Sequence, residues 1–182
     1  MKFTLICLFL GLVLRELFAP SAILGADNTR DPYKYFFENS FGDYAEELAR
    51  AKKEGKKALM LFFELDECPF CHRMKETVLN QVEVQEYFRK HFMMIAVDVE
   101  GQTDVVSFQN QNKIAKDFAE KDFRVRATPV FVFVDLDGKP IARFTGATSG
   151  VEEFLLFGEY VADGHYKSET FVKYKRQKRK QS

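Results

Sequence analysis

The run KALMLFFEL at residues 57–65 is followed almost at once by the dithiol CPFC at 68–71. An apolar stretch of that length lacks the polar alternation of a half-solvated strand, so it needs cover on both faces. It therefore calls for a sheet with helices on either side. The cysteine pair then falls where a buried strand ends and a helix opens.

The rest of the chain supplies the helices and the other strands. Residues 43–56 form an amphipathic helix that Asp43 caps and Gly55 ends. HRMKETVLN and VEVQEYFRKHF read as helix, with a break near Asn80–Gln81, and FMMIAVDV at 92–99 is a second buried strand. Residues 100–112 are polar and give no assignment, and 113–123 predict a short helix. Val130–Val134 is a strand, Asp137–Gly138 a hairpin turn, and Ile141–Thr145 the returning strand. Helices follow over 150–161 and 168–178, and the polar, aromatic stretch 27–42 covers one face. The first half predicts a right-handed β-α-β unit with parallel strands. The second half adds antiparallel strands to the same sheet.

A chain of 182 residues can stabilise one domain of ordinary size. Its N-terminus has the pattern of an export signal over 1–26: Lys2, an apolar stretch at 3–14, then small residues at Ala22 and Gly25–Ala26. The apolar stretch is about half a bilayer span, so it predicts no stable membrane insertion after cleavage. Arg15 and Glu16 interrupt the pattern and blur the cleavage position. Cys7 leaves with the signal, and the mature chain keeps Cys68 and Cys71 alone. A periplasmic or secreted protein that needed staples would carry several cysteines at longer spacings. A lone C-x-x-C closes too small a loop to stabilise much, which points to chemistry. The domain then spans 27–166, and a basic helix or tail fills 167–182. The last ten residues hold six Lys or Arg and no acid, against a net charge of zero for the whole chain. Such a run fits nucleic acid or anionic lipid. The preferred expectation is a solvated, fraying helix end on a monomer with no nucleic-acid partner.

Three chemistries compete for CPFCH. As a redox pair, Cys68 sits at a helix N-terminus, where free N–H groups and the helix dipole favour a thiolate. Cys68 is the exposed nucleophile, and Cys71, one turn inward, resolves the mixed disulfide. Pro69 suits the first helical turn. Thr128–Pro129 before the third strand predicts a cis bend beside Cys68, with the Thr128 backbone open to an extended substrate. As a c-type haem site, His72 would be one axial ligand and Met93 or Met94 the other. As a metal site, Cys68, Cys71 and His72 would need a fourth ligand from His91 or His165, and no spacing brings either in. The redox reading alone also explains the buried strand and the T-P hairpin, and it requires no cofactor or metal. A fourth possibility is a binding module with a vestigial dithiol.

These residues resemble the thioredoxin superfamily over roughly 40–162: CPFC after LMLFFEL, VDV in the second strand, ATPVFVFVDLDGK, and the FTG strand end. FFELDECPFCHRM and FTGATSGVEEFLLFGEYVADGHYK are similar to SoxW-type periplasmic thioredoxins of sulfur-oxidation systems. The resemblance implies a thioredoxin-like α/β fold, with a mixed sheet of about four to five strands and helices on both faces. It also implies an exported thiol–disulfide oxidoreductase: a reductase of protein disulfides or of a sulfur-carrier cysteine, fed by a membrane thiol donor. Pro69, Phe70, Thr128 and Pro129 would contact the substrate.

The chain departs from the family at Glu67, where Trp is usual, and at Phe62, where a buried Asp is usual. That leaves Glu64 and His72 as candidates for proton transfer, with Glu64 expected to be a strand-end carboxylate facing solvent. Glu64, Asp66 and Glu67 form an acidic cluster that opposes the Cys68 thiolate. The expected potential is that of a reductant, roughly −270 to −200 mV.

Overall fold

The computed structural model describes residues 28–181, so the export-signal expectation for 1–26 lies outside the described residues. In chain order the elements are α1 (Pro32–Tyr35), α2 (Tyr44–Lys53), β1 (Ala58–Glu64), α3 (Pro69–Thr77), α4 (Val82–His91) and β2 (Phe92–Asp98). Then come β3 (Asp104–Val106), β4 (Asn112–Ile114), α5 (Ala115–Asp117), β5 (Val130–Val134), β6 (Pro140–Thr145), α6 (Val151–Ala162) and α7 (Phe171–Gln181).

Every residue of β1 and β5 is buried, as the apolar runs Ala58–Phe63 and Val130–Val134 require, and Glu64 at the end of β1 is buried with them. The main sheet is four-stranded, in the order β2-β1-β5-β6. β1 runs parallel to β2, from Ala58↔Phe92 to Glu64↔Asp98, and antiparallel to β5, from Leu59↔Val134 to Phe63↔Val130. Alternation along β1 feeds two cores. Met60 and Phe62 face α3, α4 and α6, where they meet Met74, Phe88, Phe154 and Phe157. Leu59, Leu61 and Phe63 face α2 and the 115–125 segment, where they meet Tyr44, Phe118 and Val125. Phe36 and Phe37 close the first core, so residues 28–42 cover that face as their aromatics suggested. Gly158 lets α6 approach α4 closely, since a Cβ there would lie 2.9 Å from the Tyr87 ring.

Two expectations are corrected. Residues 100–112 contain β3 and the start of β4, a two-stranded sheet of its own, and the helix expected from 113 begins at Ala115 and widens into a π turn over Phe118–Asp122. The basic C-terminus is a packed helix and not a fraying end, although Lys173, Arg176, Arg179 and Lys180 are solvated as expected. α7 seats Phe171 against Phe157 and Phe144, and buries Tyr174 against Tyr160. The Tyr174 hydroxyl donates to Glu159 at 2.8 Å.

Candidate redox site

β1 delivers the chain to the active end of the sheet, and Cys68 becomes the N-cap of α3. Its backbone N–H donates to the Leu65 carbonyl at 3.0 Å, closing the turn after the strand. Pro69 occupies the first turn, where a missing N–H has no consequence. Cys68 and Cys71 form a disulfide, with their Cα atoms 5.2 Å apart. The Cys71 N–H donates to Cys68 Sγ at 3.1 Å, so a helix-end donor already aims at the atom that would carry thiolate charge.

Cys68 is less open than expected. It is 7% exposed and Cys71 is 0% exposed, so of the two only Cys68 reaches solvent. In the reduced protein, iodoacetamide should alkylate Cys68 about tenfold or more faster than Cys71, as burial and thiolate character both direct. Equal labelling, resolved by peptide mass, would refute that order.

Thr128–Pro129 is a cis peptide. Val130 pairs with Phe63, so the residues just before β5 lie at the same end of the sheet as the residues just after β1. The loop after β6 joins in: the Gly146 N–H donates to the Pro129 carbonyl at 2.8 Å. That loop also meets α3, through the buried Thr148, whose hydroxyl lies 3.6 Å from Met74 Sδ. Arg73 lies over the ring of Phe70, 5.3 Å from its centroid, and reaches the Thr148 carbonyl at 3.5 Å. Phe70 itself is exposed. Sequence reasoning had the FTG strand end but missed Arg73 and Thr148, because their partner is 75 residues away.

Glu64 overturns its expectation. It is buried, and its side chain is 8% exposed. Lys75 Nζ donates to its Oε2 at 2.6 Å and to the Tyr33 hydroxyl at 2.7 Å, and that hydroxyl donates to Glu64 Oε1 at 3.0 Å. Burial alone would lower the pKa of the Lys75 ammonium, but the hydrogen bonds it donates to Glu64 and Tyr33 outweigh that and hold the group above its ordinary 10.5. Burial, with Glu64 nearby, likewise raises the Tyr33 phenol above 10.0. Glu64 therefore leaves the acidic cluster, and only Asp66 and Glu67 stand exposed before Cys68. Phe62, one pleat back on the same face, is stacked between Phe37 and Phe131. His72 is exposed, and its Nε2 donates to the Asp66 carbonyl at 2.6 Å.

The rival ligand sets do not assemble. Met93 and Met94 pair with Leu59 and Met60, on opposite faces of the sheet. Met94 is four rows from the Glu64–Asp98 pair, about 13 Å at ~3.3 Å per residue. His91 precedes β2, at the far end of the sheet from Cys68, and His165 packs on Tyr174.

Comparison with known proteins agrees with this architecture. A family profile described as thioredoxin-like domain matches residues 44–162. A disulfide bond reductase, DsbH of Chlamydia pneumoniae, is 28% identical over 100 residues, which span 55% of this chain and 58% of that protein. A thioredoxin-fold protein from Helicobacter pylori superposes with a TM-score of 0.58 at 24% identity, over 70% of this chain and 88% of that one. A thioredoxin from Thermus thermophilus does so with a TM-score of 0.52 at 27% identity, over 65% and 83%.

Proposed function

This chain belongs to the thioredoxin-like domain family, and from that premise we propose that it is an exported thiol–disulfide oxidoreductase that works as a reductase. The observation that carries this reading is the Cys68–Cys71 disulfide at the mouth of α3, with the Cys71 N–H directed at Cys68 Sγ.

In the reduced protein, the Cys68 thiolate attacks one sulfur of a substrate disulfide. A mixed disulfide forms and the other substrate sulfur leaves as a thiolate. Cys71 loses its proton and attacks Cys68 Sγ. The second substrate sulfur is released, and the protein holds the Cys68–Cys71 disulfide. Two electrons have moved to the substrate, and a thiol donor must return them. In an oxidising compartment a membrane-embedded dithiol is the simplest source. Substrate would lie along the Thr128 backbone as an extended segment, flanked by Pro69, Phe70 and Pro129. A protein disulfide and a sulfur-carrier cysteine both fit that frame. We assign removal of the Cys71 proton to the Glu64 carboxylate, which Lys75 and Tyr33 hold in one orientation. His72, held to Asp66, serves the loop instead.

With Glu64 neutralised by Lys75, fewer charges oppose the Cys68 thiolate. That favours the less negative end of the range from about −270 to −200 mV. Equilibrating the purified protein with glutathione buffers gives the value. A potential near about −120 mV would make the protein a disulfide-forming oxidant and overturn the reductase reading.

A further inference from the structure

α7 divides its six cations unequally between its two sides. At ~100° per residue, Phe171, Tyr174, Lys175 and Lys178 share the side turned to the protein. Lys175 donates there to Glu153 of α6, and Lys178 donates to Glu159. The opposite arc, about 120° wide, holds Val172, Lys173, Arg176, Arg179 and Lys180. All five are exposed, Val172 by 69%. Lys173 has one ion pair, to Glu169 at 3.7 Å, while Arg176, Arg179 and Lys180 have no partner among the described residues.

We propose that this arc is a docking surface for an anionic lipid bilayer. The arc is convex, and its cations are flexible point charges with no cleft around them. A smeared negative surface satisfies that arrangement, whereas a folded acidic partner needs fixed counter-charges. There is no aromatic residue on the arc on which a base could stack. The exposed Val172 adds an apolar contact at headgroup depth. No helix among the described residues is long and apolar enough to cross a membrane, so attachment through α7 is peripheral. The helix is also tied to the redox site. Glu153, which Lys175 holds, accepts the Ser149 N–H at 2.7 Å, and Ser149 follows the Thr148 that meets α3. A bilayer under α7 therefore fixes how the cysteine pair is presented.

Sedimentation with vesicles of phosphatidylglycerol and phosphatidylcholine, against phosphatidylcholine alone, tests this with the full chain. The readout is the gain on adding anionic lipid, because apolar contacts from any segment contribute to both. R176Q/R179Q/K180Q should cut the affinity for anionic vesicles by about 100-fold at low salt, from ~5-fold per charge. K53Q/K116Q/K139Q, which removes as many exposed cations elsewhere, should change the affinity little, and insulin reduction should be the same in both variants. Equal binding to both vesicle types would overturn the proposal. So would full binding by the α7 variant, or capture by soluble polyglutamate with none by vesicles.

Discussion

Cys68→Ser should reduce insulin at background rate, a loss of about 10³-fold or more, whereas Cys71→Ser should still attack and then stop. The difference follows from position. Cys68 caps α3 and receives the Cys71 N–H on its sulfur, so the helix end stabilises charge at that atom. Serine at 68 leaves no thiolate there. Serine at 71 leaves the Cys68 thiolate in place but removes the group that breaks the mixed disulfide. Non-reducing gels should therefore show a covalent substrate adduct with Cys71→Ser and none with Cys68→Ser. A wild-type protein that reduces insulin no faster than Cys68→Ser does would point to a binding module. Adducts with both variants would mean that the two cysteines share the nucleophile's role.

The sheet was legible in the sequence because its signals are local. β1 is apolar from Ala58 to Phe63 and β5 throughout, and a strand that needs cover on both faces has few places to go. The turn at Asp137–Gly138 and the helix break near Asn80–Gln81 are written in a few adjacent residues. β3 and β4 were not legible. They are three residues each, and Val105 is their one buried residue. Their place is set by tertiary bonds such as that from the Val106 N–H to the Gly42 carbonyl. In the site, the dithiol and the cis-proline turn were legible from spacing and order. The surroundings of Glu64 were not. A strand-end carboxylate faces solvent by default, and what buries this one is Tyr33, 31 residues earlier, and Lys75, 11 residues later. The fate of the basic tail turned on Phe171 and Tyr174, two aromatics among cations that find seats on α6.

Lys75→Met should lower the unfolding free energy by about 3 kcal/mol or more, far beyond the effect of an exposed lysine. The side chains of Lys75 and Glu64 are 11% and 8% exposed, so losing the ammonium leaves a buried carboxylate with only the Tyr33 hydroxyl to hold it. Coulomb attraction is not the main quantity at stake. The penalty comes from the charge left behind, and it can be relieved by neutralising that charge. E64Q/K75M should therefore be more stable than Lys75→Met alone, with a coupling of about 1–3 kcal/mol between the sites. Urea denaturation of the oxidised wild type, Glu64→Gln, Lys75→Met and the double variant measures this. Additive losses would show that the pair is solvated and weak. Catalysis separates the structural role from the chemical one. If Glu64 takes the Cys71 proton, Glu64→Gln slows release of the mixed disulfide and changes the pH profile of that step, while first attack by Cys68 keeps its rate. A uniform loss at every pH, tracking stability, would confine Glu64 to holding α3 against β1.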